Sequence, residues 1–249
     1  MQRLTKDVIQ WIKDYFKDND DGKAIIGISG GKDSTICAAL LVEALGADRV
    51  VGILMPNGEQ KDIGDSYEIC RYLGIEYHCI DISLAYQALT ISLRHAIGKN
   101  QLNSVFTTNT PSRLRMTTLY GVAALYPNSR VVNTSNLSER YIGYSTKYGD
   151  GAGDFSPLGE LTVREVLMIG DDLGLPYDLV HKTPSDGMSG KSDEAKIGFT
   201  YDELDNYILY VEDGCSDEIA AKIEKMHKAN QHKLEDMPRF VPMGRSEWI

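Results

Sequence analysis

The sequence AIIGISGGKDS occupies residues 24–34 and changes character twice over that short distance. Residues 24–29 form an apolar, β-branched run, which predicts a buried strand. Gly30 and Gly31 end the run, and residues 34–45 (STICAALLVEAL) continue with the composition of a helix that a glycine closes. The stretch therefore predicts a strand, a tight turn and a helix in direct succession.

The same alternation continues on both sides of this stretch. Further strands are predicted at 49–57, 75–82 and 130–135, and helices at 4–18, 62–74, 84–97 and 112–125, the last opened by Pro111-Ser112. Strands separated by helices of this length imply right-handed crossovers and a parallel sheet with helices on both faces. The predicted fold class is α/β, a three-layer, doubly wound parallel sheet.

The sequence changes character after about residue 140. A stretch rich in Gly and polar residues is followed by a helix, a long loop and two terminal helices, at 144–157, 161–174, 182–198, 201–212 and 217–234 respectively. Thr162 is the expected cap of the first of these helices. Loops as long as 182–198 are typically functional or disordered. Since no repeat or linker divides the sequence, a single domain over residues 1–249 is predicted.

The composition excludes several classes of protein. The 249 residues are 42% hydrophobic, and 26 Lys+Arg stand against 36 Asp+Glu, giving a net charge of −10. So acidic a chain, without basic runs, is a poor binder of nucleic acid or anionic membrane. No apolar stretch approaches the ~18 residues of a membrane span, and no secretory signal opens the sequence. The four cysteines form no CxxC pair, so we expect buried or inert thiols in a reducing cytoplasm.

Residues 27–34 combine the groups that a phosphate site needs. The two glycines bring successive N–H groups close to a ligand, and a helix N-terminus lies beside them. Ser29 and Ser34 add hydroxyl donors. Asp33 adds a carboxylate, which suits a phosphate site chiefly where Mg²⁺ bridges the two. The spacing fits neither the Walker A loop nor GxGxxG. An alternative is a simple strand–turn–helix in which the glycines serve only the turn.

The segment SGGKDS, residues 29–34, resembles the pyrophosphate loop of the N-type ATP pyrophosphatases, which have an adenine nucleotide alpha hydrolase-like fold. The remaining motifs, in the same order, resemble those of the ammonia-dependent NAD synthetases. These motifs are Asn109-x-x-x-Arg113-x-Arg115-Met116, NTSNLSE at 133–139, the KYGDG-containing segment 144–158, Pro184-Ser185, Asp193-Glu194 with residues 198–202, and His232-Lys233.

The resemblance implies amidation of the nicotinate carboxylate of deamido-NAD. ATP would first convert the carboxylate into an acyl adenylate with release of pyrophosphate, and ammonia would then displace AMP. The implied partners are ATP, deamido-NAD, ammonia, Mg²⁺ and a second copy of the chain. Two alternatives stay open: another N-type ATP pyrophosphatase that adenylates a different carboxylate or nucleotide, and a non-catalytic adenine-nucleotide-binding module.

The same resemblance implies roles for individual residues. The expected catalytic residues are Asp33, Glu139 and Lys182, and the first two would ligate Mg²⁺. ATP would be held by Gly27, Ile28, Ser29, Gly30, Gly31, Lys32, Asp33 and Ser34, together with Thr134, Val163 and Ser185. Deamido-NAD would be contacted by Arg113, Lys147, Asp154, His232 and Lys233, with His227-Lys228 as a rival to the last pair. Because the helix at 112–125 has more apolar positions than one core face needs, we expect it in a twofold dimer interface.

One position departs from the family pattern. Val163 stands where the family commonly has a lysine that contacts an ATP phosphate, and a valine cannot make that contact. Either ATP binds more weakly here, or another cation substitutes for the lysine. Lys182 is preferred over Lys32 and Arg164, because the loop that contains Lys182 is expected to close over ATP.

Overall fold

The computed structural model describes residues 1–19, 21–60, 62–98, 101–181, 193–210 and 214–242. Within these residues, four strands form one sheet: β1 (Ala24–Gly27), β2 (Val50–Leu54), β3 (Glu76–Cys79) and β4 (Arg130–Val131). All pairings are parallel, and the order across the sheet is β3-β2-β1-β4. The chain thus builds the sheet outward from β1 in both directions. This confirms the doubly wound arrangement, with its switch point between β1 and β4.

Helices cover both faces of the sheet. In chain order the helices are α1 (Arg3–Tyr15), α2 (Lys32–Leu45), α3 (Ile63–Leu73), α4 (Ser83–Ile97), α5 (Ser104–Ala123), α6 (Leu137–Tyr141), α7 (Val163–Asp172), α8 (Tyr177–Val180), α9 (Asp193–Ile197), α10 (Tyr201–Ile208) and α11 (Asp217–Leu234), with a 3₁₀ turn at Ala47–Arg49. Thr162 caps α7 as predicted. None of these helices is both long and apolar enough to cross a membrane.

Alternating strand residues separate two apolar cores. Ile26 of β1 points into the core that contains α1, α2, α7 and α8. Its neighbour Ile25 points to the opposite face, where Met116 and Leu119 of α5 pack. A third cluster joins α6, α7, α10 and α11 beyond the sheet, around Ile142, Leu204 and other buried side chains. Packing in the third cluster places α9 and α10 near the carboxyl end of β1, where the candidate site lies.

Two sequence predictions need correction. The helix predicted at 112–125 begins at Ser104, with Asn103 as its cap, and Pro111 lies inside it rather than opening it. The predicted loop 182–198 ends in a short helix, α9, while residues 182–192 lie outside the described residues. All four cysteines are free, with Cys37 and Cys70 buried and Cys79 exposed at the end of β3.

Candidate active site

The phosphate-type loop follows β1 and leads directly into α2. Gly30 adopts a φ of +79°, and a Cβ on it would lie 3.1–3.3 Å from Asp65 and Ser66 of α3, so the loop passes against that helix. The Ser29 and Ser34 hydroxyls lie 3.1 Å apart, and Ser34 Oγ donates to the Gly31 carbonyl over 3.0 Å. The Ser34 hydroxyl thereby stabilises the conformation of the loop. The first N–H groups of α2 have no intrahelical partner, so they are available to an anion.

Lys32 is the first residue of α2, and its side chain turns inward. Only 7% of the residue is exposed, and its Nζ lies 2.7 Å from Asp33 Oδ2 and 5.6 Å from the centroid of the Tyr201 ring. Burial by itself would lower the pKa of Lys32, but the carboxylates of Asp33 and Glu139 outweigh it and raise that pKa. The ammonium group therefore stays charged and serves as counter-ion to the acidic residues around it.

Asn136 joins the two predicted metal ligands. It is the N-cap of α6, and its Oδ1 accepts a hydrogen bond from the Glu139 N–H over 2.9 Å. Its Nδ2 donates to Asp33 Oδ1 over 3.1 Å. Asp33 and Glu139 thus follow the carboxyl ends of β1 and β4, on either side of the switch point, and lie near enough for the Asp33 carboxylate to raise the pKa of Glu139.

The Glu139 carboxyl is strongly influenced by its surroundings. Burial, followed by the neighbouring Asp33 carboxylate, raises the pKa of Glu139 well above its usual range, against the opposing effect of Lys32. The two neighbouring carboxylates repel one another, and the Lys32 ammonium offsets that repulsion only in part. The pair is therefore a donor set suited to a hard divalent cation such as Mg²⁺, which prefers one or two carboxylates beside phosphate oxygens and water.

The segment containing α9 and α10 completes this side of the site. Asp193 accepts a hydrogen bond from the Tyr144 hydroxyl over 3.0 Å, and Lys196 Nζ lies 3.7 Å from it. Glu194 Oε1 accepts from the Tyr201 N–H over 2.8 Å, which fixes the start of α10. Asp193 and the Tyr201 ring are both near the Lys32 ammonium.

Three further cationic side chains, those of Arg113, Lys147 and Lys233, are linked through backbone carbonyls. Arg113 Nε donates to the Lys147 carbonyl over 3.1 Å, Lys147 Nζ donates to the His232 carbonyl, and Lys233 Nζ donates to the Gly143 carbonyl over 2.8 Å. The structure thus brings together four of the five residues predicted to contact deamido-NAD. The imidazole of the rival His227 instead bonds to the Tyr141 carbonyl over 2.7 Å and stacks on the Tyr141 ring, so it is part of the packing.

The fifth residue, Asp154, lies elsewhere. It runs alongside β4, where its Oδ2 accepts from the Val131 N–H over 2.7 Å and its Oδ1 accepts from the Tyr120 hydroxyl over 3.0 Å. Both carboxylate oxygens therefore have partners within the chain. Asp154 extends the edge of the sheet together with Phe155, which bridges to Val132.

Other predicted ATP residues have different placements. Gly27 ends β1, and the Ile28 side chain is buried in the core while its N–H donates to the Ile53 carbonyl over 3.0 Å. Thr134 is half-buried in the segment between β4 and α6. Val163 is only 6% exposed and packs in the third cluster. Lys182 and Ser185 lie outside the described residues.

Sequence reasoning missed three residues of this site. Asn136 was quoted within a motif but given no role, although an Asn three residues before a Glu at a helix start is a capping signal. Asp150 accepts from the Ser112 hydroxyl over 2.6 Å and from the Thr146 N–H over 3.0 Å, which ties α5 to the segment after α6. The position of Tyr201 depends on long-range packing, for which a single sequence gives no signal.

Comparison with known proteins adds an independent line of evidence. A family model described as NAD synthase matches residues 4–239. The NH(3)-dependent NAD(+) synthetase of Carboxydothermus hydrogenoformans is 36% identical over 93% of this chain and 94% of that protein. A solved NMN synthetase from Francisella tularensis has a TM-score of 0.85 at 32% identity, covering 96% of this chain and 97% of that one. The NH3-dependent NAD synthetase from Campylobacter jejuni, in complex with the nitrate ion, has a TM-score of 0.79 at 27% identity, covering 97% and 99%.

Proposed function

The chain belongs to the NAD synthase family, and from that premise we propose that the site between β1 and β4 carries out the ATP-dependent amidation of deamido-NAD by ammonia to give NAD. The observation that carries the proposal is the pairing of Asp33 with Glu139 beside an open helix N-terminus. Asn136 holds that pair from the opposite side of the switch point. This is where doubly wound sheets bind nucleotides.

The reaction requires activation of a carboxylate, because oxide is not a viable leaving group. A nicotinate oxygen attacks the α-phosphorus of ATP, and the bond to pyrophosphate breaks. Ammonia then attacks the acyl carbon, AMP leaves with the nicotinate oxygen, and the surplus protons pass to water. The chain contributes positioning and charge stabilisation rather than a covalent nucleophile.

Each side of the site has its part in that reaction. The N–H groups at the start of α2 hold the phosphates. The Lys32 ammonium offsets part of the negative charge of Asp33 and Glu139. Asp33 and Glu139 would hold Mg²⁺, which when bound supplies positive charge to the phosphates of ATP.

The cations beside the site are suited to the second substrate. Arg113, Lys147 and Lys233 come from α5, from the segment after α6 and from α11, and backbone carbonyls hold their side chains. Deamido-NAD has a pyrophosphate and a carboxylate, which guanidinium and ammonium groups bind well. We propose these three residues and His232 as its contacts, while Asp154, which lies apart with both carboxylate oxygens bonded within the chain, stays a prediction of the family resemblance.

We propose a homodimer as the working form, but with a different surface from the one predicted. Met116, Leu119 and Val122 of α5 are buried against the sheet, so most of the apolar positions at 112–125 belong to the core. Apolar side chains are instead exposed on α4 and the first turn of α5: Leu84, Ile91, Ile97 and Val105. Because α4 has no buried residue, this surface is the better candidate for a twofold interface.

A product analysis tests the proposed function. Purified protein is incubated with ATP, Mg²⁺, deamido-NAD and ammonium, and NAD, AMP and pyrophosphate are measured; we expect them in equal amounts. Ammonia-free glutamine replaces ammonium in a parallel reaction, where we expect no NAD. Pyrophosphate release without NAD would favour another adenylating enzyme of the superfamily, and nucleotide binding without turnover would favour a binding module.

A second candidate differs only in the substrate. The solved NMN synthetase matches this chain with a higher TM-score, 0.85, than the Campylobacter jejuni NAD synthetase, 0.79. That observation favours nicotinate mononucleotide, the acid that corresponds to NMN, as the amidated molecule. The chemistry at the carboxylate would be the same, but the acceptor would lack its adenylate half. Comparing kcat/KM for the two acids under identical ATP and ammonium concentrations identifies the substrate.

A further inference from the structure

Tyr201 presents a buried hydroxyl without a partner. The residue is 6% exposed, and within the part of the chain that the structure describes its hydroxyl has no hydrogen-bond partner. Leaving a buried hydroxyl unpaired costs free energy, whereas a phenylalanine would fill the same space without that cost. A tyrosine here therefore needs a reason other than packing.

The position of the ring is firmly set. Tyr201 opens α10, where its N–H donates to Glu194 over 2.8 Å and Thr200 caps the helix through a capping box. The ring packs in the third apolar cluster with Val163 and Leu204. Because the backbone and the ring are held on several sides, the position of the hydroxyl is fixed before any ligand binds.

The Tyr201 ring lies beside the phosphate loop. The charged groups that act on the hydroxyl are Glu139, Asp193 and Asp33, and Tyr144 also lies near. Lys32, from the start of α2, lies 5.6 Å from the centroid of the ring. Burial, followed by these carboxylates, raises the pKa of Tyr201 far above its usual range, so the hydroxyl keeps its proton and is a donor.

The hydroxyls of three other tyrosines have hydrogen-bond partners within the chain. Tyr144 donates to Asp193 over 3.0 Å, Tyr207 to Glu224 over 2.5 Å, and Tyr120 to Asp154 over 3.0 Å. Each of these hydroxyls has a carboxylate as its acceptor. Tyr201 has three carboxylates in its surroundings and bonds to none of them, which leaves its proton available for an acceptor that arrives from outside.

We propose that the Tyr201 hydroxyl is a ligand-binding donor that forms a hydrogen bond to a phosphate oxygen of bound ATP. The inference rests on the proposed function, because it places ATP between the N-terminus of α2 and the start of α10. It assigns to α10 a direct contact with the nucleotide. It also gives the Thr200 and Glu194 hydrogen bonds a purpose, because they fix the donor before the ligand arrives.

The test compares Tyr201→Phe with the wild type and with Tyr207→Phe. Melting temperature is measured without ligand, and binding of a non-hydrolysable ATP analogue with Mg²⁺ is measured by calorimetry on the full chain. For Tyr201→Phe we expect an unchanged or higher melting temperature and a dissociation constant raised about tenfold, the scale of a lost hydrogen bond to a charged acceptor. Tyr207→Phe loses its bond to Glu224, so its melting temperature should fall while nucleotide binding stays unchanged.

Three results would overturn the proposal. An unchanged dissociation constant in Tyr201→Phe would mean that the hydroxyl does not reach the nucleotide. A lower melting temperature without ligand would mean that the hydroxyl has a partner inside the protein. Equal weakening of binding for Mg²⁺ alone would place the hydroxyl on the hydrated metal instead of a phosphate. NAD formation by the wild type is measured separately, so a protein that binds the nucleotide but forms no NAD contradicts the proposed function alone.

Discussion

Asn136 Nδ2 donates a hydrogen bond to Asp33 Oδ1 over 3.1 Å, which links the end of β4 to the start of α2 across the switch point of the sheet. The same side chain caps α6 and so fixes the turn that presents Glu139. One amide therefore sets the distance between two carboxylates that are far apart in the sequence. Positioning of this kind supports catalysis because the charged groups need no rearrangement when substrate binds.

Asn136→Ala is expected to weaken both functions of that amide. Loss of the cap should lower the free energy of unfolding by about 1 kcal/mol, and loss of the bond to Asp33 should reduce kcat/KM for ATP about tenfold. Asn103→Ala is the matched control, since Asn103 caps α5 through a 3.0 Å bond from the Phe106 N–H. The control should lose similar stability and keep its kinetics. Equal kinetic loss in both variants would contradict a specific role for Asn136.

Asp33→Asn tests the carboxylate itself. The substitution keeps the shape of the side chain and the bond from Asn136, but it removes the charge that faces the phosphates. We expect turnover to fall by at least ~100-fold, the scale of one electrostatic catalytic contact. Asp7→Asn, on the exposed side of α1, should leave turnover unchanged. Near-normal turnover of Asp33→Asn in steady-state assays would show that this carboxylate is not a metal ligand.

The strand–turn–helix unit from β1 to α2 could be predicted from sequence because its signals are local. β-branched residues, two glycines and a helical run follow one another within residues 24–45, and no distant contact is needed to interpret them. α5 is the opposite case. Pro111 signals a helix boundary, yet Asn103 caps a helix that runs through it, with Pro111 buried. There the packing of α5 against the sheet overrides the local preference.

The residues of the candidate site also differ in whether local sequence signals or long-range packing place them. The position of Asp33 at the carboxyl edge of the sheet was predictable because it directly follows a predicted strand, whereas Glu139 was singled out only by the family resemblance of its segment. Tyr201 and Asp193 reach this edge only because the third cluster packs α10 against α7, an arrangement without a sequence signature. The burial of Val163 in that cluster could not be predicted from sequence either, because it depends on tertiary packing.

Ile91→Glu tests the proposed dimer surface. Ile91 is 66% exposed on α4, and a charge buried in an apolar interface would oppose association strongly. Light scattering at micromolar concentration should give twice the mass of one chain for the wild type and the mass of one chain for the variant. Leu125→Glu is the control, because Leu125 is 80% exposed just beyond α5 and outside the proposed surface. A dimeric Ile91→Glu protein would contradict an interface on α4.

Glu76→Gln tests an electrostatic contribution to folding outside the site. Hydrogen bonds from Lys23 and Tyr126 lower the pKa of Glu76 to about 2 from its usual value near 4.5. A lowered pKa stabilises the fold above the higher of these values, and the effect disappears as the pH falls towards the lower one. Because the group is partly exposed, we expect no more than about 1 kcal/mol.

Denaturation at several pH values measures that contribution. The wild type should exceed Glu76→Gln in stability at pH values of about 5 to 7, and the difference should vanish near about pH 2. Glu68→Gln, which changes an exposed carboxylate of α3, should show little difference at any of these values. A difference between wild type and Glu76→Gln that stayed constant down to the lowest pH would refute the assignment to ionised Glu76.

Lys32→Met tests whether the buried ammonium balances the carboxylates of the site. Without it, Asp33, Glu139 and Asp193 would repel one another in a poorly hydrated space, and breaking such a buried pair costs about 3–5 kcal/mol. We expect a melting temperature lowered by about 2–4 °C for each kcal/mol lost. Mg²⁺ alone, without nucleotide, should restore most of that loss, because a divalent cation takes over the missing charge.

Lys23→Met is the matched control for that experiment. Lys23 pairs with Glu76 over 2.8 Å, close to the 2.7 Å between Lys32 and Asp33. The Lys23–Glu76 pair, however, lies at the surface near the amino ends of β1 and β3, at the opposite edge of the sheet from the site. Its loss should lower the melting temperature slightly, and Mg²⁺ should not restore it. Selective rescue of Lys32→Met would therefore locate the cation site between Asp33 and Glu139 without any measurement of turnover. If Mg²⁺ raised both melting temperatures equally, its effect would be general, and the carboxylates around Lys32 would not form the metal site.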